Sequence, residues 1–234
     1  MKYALILSGE MRTYRHTIDS IKRFLPDADI YLHTWKTSKS SWKNKKRGLE
    51  YNKENVSSND IIKIYGSQLK NYVIEDVFDI QQYYKGINNV KLLSKHKPNK
   101  KFYIDVHYQL YEAYKLLDKN YDLIIRSRPD VMILKRPEFI KPGICTTSNP
   151  GGKNVGKKLN DFFAWGDQLS MEYYCTMFEV LQEYLTEELR PIEVIFKEYI
   201  QKNGVPLHEV EKHGEILRTE NVIEDHISFN YYAR

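Results

Sequence analysis

Short apolar runs alternate with stretches of helical spacing along most of the chain, and that alternation predicts its elements. Tyr3 to Leu7 is an apolar run closed by Ser8-Gly9, the pattern of a strand buried on both faces. Ile18, Ile21 and Leu25 then recur at helical spacing, and Pro26 ends that helix. Asp29 to Thr34 predicts a second strand, a helix capped by Ser57 or Ser58 runs to about Tyr65, and Tyr72 to Val77 predicts a third strand. Residues 85–101 are polar and irregular. Tyr103, Val106, Leu110, Tyr114 and Leu117 form one apolar stripe of a helix, followed by the clearest central strand, Tyr121 to Ile125, and a short extended piece, Val131 to Leu134. Residues 141–158, rich in Gly, Pro, Asn and Lys, predict a loop. Phe162 to Trp165 is a short strand, Met171 to Leu185 a helix, and Pro191 opens another helix ended by Asn203-Gly204. Two weak strands or turns close the chain.

Strands alternating with helices imply an α/β fold, with a central sheet mostly parallel in its first half and flanked by helices. No repeat is present, and 1–234 reads as a single domain with a basic loop insertion at 36–56 and a flexible loop at 141–158. In such sheets ligands bind beyond the carboxyl ends of the strands. Ser8, Gly9, Glu10 and Arg12 follow the first strand; His33, Thr34 and Trp35 end the second; Arg126, Arg128 and Asp130 follow the central one. Polar and charged groups therefore gather at one edge of the sheet.

Composition changes this picture only locally. Hydrophobic residues at 41% and aromatics at 13% exclude a disordered chain. Nineteen tyrosines suit half-buried surfaces and clefts where sugars or bases stack, and equally suit an ordinary core. The net charge of +5 is concentrated: between Lys36 and Lys53 seven basic residues face one acid, Glu50. Lys91, Lys95, Lys97, Lys100 and Lys101 form a second run. Such runs suit phosphate, an anionic membrane surface, or solvent. Two cysteines without metal-ligand spacing, an N-terminal apolar run too short for a signal peptide and the lack of an apolar stretch of about 20 residues point to a cytoplasmic protein, with peripheral membrane contact through the basic segment as an option.

Arg126-Ser127-Arg128-Pro129-Asp130 carries the most chemistry. Pro129 fixes the backbone and makes Arg128 extended, so Asp130 is held rigidly at the strand end. A rigid carboxylate there suits a divalent cation bridging phosphate oxygens, and two arginines suit a diphosphate; an Arg–Asp ion pair closing the strand is the plainer alternative. Gly9 permits close backbone approach ahead of a helix N-terminus, and Arg12 can reach a phosphate or a base edge. Asp161 in Asn160-Asp161-Phe162-Phe163 is a candidate general base, Asp167 a helix N-cap, and Glu193 a favourable first-turn acid. Asp225-His226 offers a second catalytic carboxylate and a further metal ligand. Asp27-Ala28-Asp29 has the metal–nucleotide spacing but precedes its strand, at the wrong edge. Gly151 to Lys158 fails the phosphate-loop pattern at Lys158. His208 and His213 lack zinc-site spacing.

Four segments form an ordered series: Ala-Leu-Ile-Leu-Ser-Gly-Glu-Met-Arg at 4–12, Ile-Tyr-Leu-His-Thr-Trp at 30–35, Ile-Ile-Arg-Ser-Arg-Pro-Asp at 124–130 and Asn-Asp-Phe-Phe-Ala-Trp-Gly-Asp at 160–167. The series, spanning about residues 3–204, resembles small GT-A-like glycosyltransferases of bacteria, phages and large viruses. That resemblance implies a GT-A-like (Rossmann-like) fold and a nucleotide-sugar donor held near Ser8, Gly9, Arg12, His33, Arg126, Arg128 and Asp130. It also implies Mn²⁺ or Mg²⁺ on Asp130, an acceptor facing Asp161, and a carbohydrate or lipid-linked acceptor. Arg128 stands where the first Asp of the Asp-x-Asp motif is expected, so Arg126 or Arg128 could neutralise the diphosphate instead. Two rivals stand beside a glycosyltransferase. One is a nucleotidyltransferase acting on a sugar phosphate, disfavoured because Gly9 and Arg12 lack a second glycine. The other is a non-enzymatic nucleic-acid binder using 36–53, disfavoured because the rest of the chain is not basic and specific nucleic-acid binding leaves the carboxylates unused.

Overall fold

The structure, a computed structural model, describes residues 1–37, 43–44, 49–50, 55–77, 101–147, 159–184 and 192–216. Seven strands form the central sheet: β1 (Tyr3–Ser8), β2 (Asp29–Trp35), β5 (Leu69–Glu75), β6 (Leu123–Ser127), β8 (Ile144–Thr147), β9 (Phe163–Gly166) and β10 (Leu207–Val210). Their order across the sheet is β10-β8-β9-β6-β1-β2-β5. Every neighbouring pair is parallel except those made by β9, which runs against both β6 and β8. The remaining strands are a two-residue pair, β3 (Lys43–Asn44) with β4 (Leu49–Glu50), and β7 (Val131–Ile133) paired with β11 (Gly214–Ile216).

The period of two in β1 explains why this sheet needs helices on both faces. Ala4 and Ile6 point into one core, with Tyr31, Trp35, Ile124 and the helices α3 (Lys101–Tyr114), α4 (Gln168–Tyr184) and α5 (Ile192–Lys202). Leu5 and Leu7 point into the other, with Ile30, Leu32, Leu123, Ile125 and the helices α1 (Tyr14–Phe24) and α2 (Ser58–Tyr65). The α1 stripe of Tyr14, Thr17, Ile18 and Ile21 is buried against this second face. Ser57 caps α2: its hydroxyl accepts from the Asp60 amide at 3.2 Å and donates to the Asp60 carboxylate at 2.7 Å.

Two expectations change. Residues 144–147 belong to the predicted 141–158 loop but form β8, a fully buried sheet strand. Ile-Cys-Thr-Thr is only four residues long and is flanked by turn-forming residues, so it left no periodic signal. Positions 148–158 lie outside the described residues. The 36–56 insertion is not a plain loop: Thr37 bridges Asn55 in antiparallel fashion, the Val56 amide donates to the Lys36 carbonyl at 2.8 Å, and β3 and β4 pair within it. Both basic runs otherwise fall outside the described residues, apart from Lys36, Lys43 and the backbone of Lys101. Among the described residues, no helix is long and apolar enough to cross a membrane.

Candidate functional site

The chain leaves β1 towards β2 and β5 on one side, while β6 pairs on the other, so the sheet has a topological switch point between β1 and β6. Ser8 and Gly9 lie at the carboxyl end of β1, and Arg128 to Asp130 follow β6. Because β9 runs in the opposite direction, Asp161, just ahead of it, comes to the same edge. Gly9 has φ +132°, a conformation L side chains rarely adopt, and a Cβ there would sit 3.5 Å from Pro129 Cδ and 3.7 Å from Arg128 Cγ. The Thr34 hydroxyl donates to the Gly9 carbonyl at 2.8 Å, tying the turn to β2.

Arg128 grips Asp130 along one edge of its fork. Nε donates to Oδ1 at 2.8 Å and Nη2 donates to Oδ2 at 2.6 Å. Arg12 Nε lies 3.9 Å from the same Oδ2 and donates to Glu10 Oε2 at 3.2 Å. Burial works against the Arg128 charge, but Asp130, with Asp161 and Glu10, outweighs it and raises the pKa of the guanidinium. The turn is pinned to α1: the Thr17 hydroxyl donates to the Pro129 carbonyl at 2.7 Å, and the Ile133 amide donates to the Ser20 hydroxyl at 3.0 Å.

Arg126 lies deeper than the sequence suggested. It is 0% exposed, and Nη1 donates to the Phe162 carbonyl at 2.6 Å. Nε and Nη2 have no hydrogen-bond partner among the described residues, and the same holds for the buried Ser8 hydroxyl. Burial lowers the pKa of this guanidinium, while Tyr174 and then Asp161 act in the opposite direction. The Asp161 segment is suspended at three further points. Asn160 Oδ1 accepts from the Phe162 and Phe163 amides at 2.9 and 3.3 Å. Asn160 Nδ2 donates to the Thr147 hydroxyl at 2.7 Å, and the Tyr174 hydroxyl donates to the Asn160 carbonyl at 2.7 Å. Asp161 itself is half-buried and acts electrostatically on Arg126, Arg128, His107 and Tyr174.

His33 sits at the carboxyl half of β2, 1% exposed, with Nε2 3.0 Å from Glu75 Oε2. The Tyr108 hydroxyl also donates to Glu75, at 3.1 Å, and Tyr108 stacks on Trp35. Burial lowers the His33 pKa to about 4, and the positive charge of Lys115 acts in the same direction. With Nε2 donating to the carboxylate, Nδ1 is a buried acceptor with no described partner. His107 is likewise lowered from 6.5 to about 4 by burial. A histidine whose proton affinity falls on folding is protonated first in the unfolded chain. Stability is therefore full above pH 6.5 and is lost as pH falls towards about 4. Chemical denaturation across this window should show the loss, with a flatter slope in His107→Gln.

The other candidates separate clearly. Asp29 of the Asp27-Ala28-Asp29 triplet starts β2 at the opposite edge, paired with Lys119 at 2.7 Å and Lys70 at 3.3 Å. Asp167 caps α4 by accepting from the Ser170 amide at 3.0 Å and also accepts from the Gly143 amide at 2.7 Å. Glu193 lies in the first turn of α5. His208 and His213 bond backbone carbonyls. Cys145 and Cys175 are free and buried. Asp225, His226 and the 151–158 near-match lie outside the described residues.

The described residues do not fit a divalent cation at Asp130. Both of its oxygens accept from Arg128, its nearest other charged neighbour is the Arg12 guanidinium, and no group of three potential metal ligands forms among the described residues. Glu75, Tyr108, Asn160, His107 and Tyr174 belong to the site or its support but escaped the sequence reading. Each is defined by a partner more than ten positions away, and Asn160 alone lay in a motif already singled out.

Sheet order, strand directions and a polar carboxyl edge define an α/β protein with a mostly parallel sheet flanked by helices. No family model and no curated protein matches the chain. Among solved structures it is similar to the 4-diphosphocytidyl-2C-methyl-D-erythritol synthase of Anaerococcus prevotii DSM 20548, at 13% identity over 98% of this chain and 96% of that one, TM-score 0.47. It is similar to the apo-form glycosyltransferase GlyE of Streptococcus pneumoniae TIGR4, at 11% identity over 89% of this chain and 45% of that one, TM-score 0.46. It is also similar to mouse xyloside xylosyltransferase 1, at 9% identity over 89% of this chain and 84% of that one, TM-score 0.41.

Proposed function

We propose that the chain is a glycosyltransferase, hexosyl or related, moving a sugar from a nucleoside-diphosphate sugar to a hydroxyl of a glycan or lipid-linked acceptor. The observation that supports this most is the juxtaposition, at the switch point of the sheet, of the Gly9 turn, the Arg12 and Arg128 guanidinium groups and the Asp161 carboxylate. The Gly9 turn lets the donor approach backbone, and the Ser8 hydroxyl and His33 Nδ1 are buried polar groups suited to its hydroxyls or base. Arg12 and Arg128 receive the charge that develops on the leaving diphosphate. Asp161 accepts the proton of the acceptor hydroxyl as the new bond to the anomeric carbon forms and the bond from that carbon to the diphosphate oxygen breaks. Asp225 and His226 have no part in this scheme.

Incubation with a panel of nucleotide sugars, followed by separation of the nucleotide products, tests the reading. Release of a nucleoside diphosphate is expected, by slow hydrolysis without acceptor and faster with one. Pyrophosphate formed from a nucleoside triphosphate and a sugar phosphate would instead make the chain a nucleotidyltransferase.

A further inference from the structure

We infer that Asp130 works through Arg128 rather than through a cation: it is a positioning residue, and the guanidinium edge it orients is what meets the donor diphosphate, so nucleoside diphosphate binds here without a divalent metal. The inference rests on the donor-site reading above and concerns how that site balances charge.

Burial gives the first argument. The Asp130 side chain is 2% exposed, Arg128 18% and Arg12 39%. A ligand arriving from solvent therefore reaches the two arginine side chains before the carboxylate. Hydrogen-bond capacity gives the second. A guanidinium has five N–H groups, and Asp130 takes two of them, from Nε and Nη2. Of the three that remain, one on Nη1 and one on Nη2 share the end edge of the plane, the geometry that receives a phosphate in bidentate fashion. A carboxylate behind and a phosphate in front keep the fork fixed between them. A metal at Asp130 would instead have to break two charged hydrogen bonds and leave the largely buried Arg128 without its counter-ion.

Glu10 sharpens the argument. Arg12 lies between Glu10 and Asp130, at 3.2 and 3.9 Å. If a cation replaced Arg12 between these two carboxylates, Glu10 would be a ligand. If the guanidinium groups bind the diphosphate, Glu10 is a like charge that the phosphates must overcome. The two accounts give Glu10→Gln opposite signs.

The test is calorimetric titration of UDP, GDP, CDP and ADP into the full chain, in EDTA and again with Mn²⁺, with thermal unfolding of each variant to establish that it is folded. One nucleotide should bind with a Kd that changes less than about twofold on adding Mn²⁺. Arg128→Gln should weaken it roughly 10- to 100-fold, Arg128→Lys less, and Asp130→Asn by only a few-fold, because Asn still offers an acceptor to Arg128. Glu10→Gln should tighten it. Protein without nucleotide should leave the Mn²⁺ electron paramagnetic resonance signal unchanged. Binding that requires Mn²⁺ and is lost in Asp130→Asn and weakened in Glu10→Gln would overturn the inference while keeping the donor site. Failure of every nucleotide under both conditions would overturn the donor-site reading and the inference with it.

Discussion

Asp161→Asn is expected to slow sugar transfer roughly 10²- to 10⁴-fold, the range over which a positioned general base contributes. The donor Kd should stay within a few-fold, because no donor contact is assigned to this carboxylate. Asn keeps the shape and loses only the ability to take a proton. Asp161 also lies near the buried Arg126, so its charge supports that guanidinium as well. A purely supporting role would lower the melting temperature and leave the turnover of the folded enzyme near wild type. Pre-steady-state or single-turnover rates at saturating donor, compared with thermal unfolding, separate the two.

Asn160→Ala is expected to be the most destabilising single change in the site. The side chain is 1% exposed and accepts from two backbone amides while donating to Thr147. Truncation leaves the Phe162 and Phe163 amides and the Thr147 hydroxyl short of partners in a largely buried region. At about 1–3 kcal/mol for each uncompensated group, partly relieved by relaxation, the cost is about 3 kcal/mol. For a chain of this length that corresponds to roughly 6–12 °C in melting temperature. Because Arg126 and Tyr174 hold the same segment, the residual folded protein should also lose activity through a misplaced Asp161. A variant with unchanged stability would mean that these bonds do not hold the turn.

The sequence showed the outline of this molecule where one physical signal dominated. The apolar run at 4–7 and the stripe on α1 are local patterns, and both reappear in the structure. The carboxyl-edge argument brought Ser8, Gly9, Arg128 and Asp130 to one place because strand direction follows from alternation with helices; Asp161, ahead of its strand, joined them only through the reversed direction of β9. What could not be read was set by partners distant in the chain. β8 was hidden by turn-forming flanks. The fate of Asp130 depended on which edge of Arg128 faced it, and spacing alone left a metal ligand and an ion pair equally open. The depth of Arg126 follows from the helices that cover β6, not from its own motif. His33 needed Glu75 and Tyr108, 42 and 75 residues further along.

The most direct test of the central claim is a thermal-stability screen of the full chain against nucleoside diphosphates and their sugars, alongside Arg128→Gln. At about 100 times its Kd a ligand stabilises by roughly 2.7 kcal/mol, or about 5–10 °C at this size. The donor-site account predicts such a shift with the nucleotides of one base, reduced to about 0.4–1.4 kcal/mol in Arg128→Gln, whose weaker binding leaves the same ligand concentration at roughly 1 to 10 times Kd. No shift with any nucleotide, or an equal shift in wild type and variant, would contradict it.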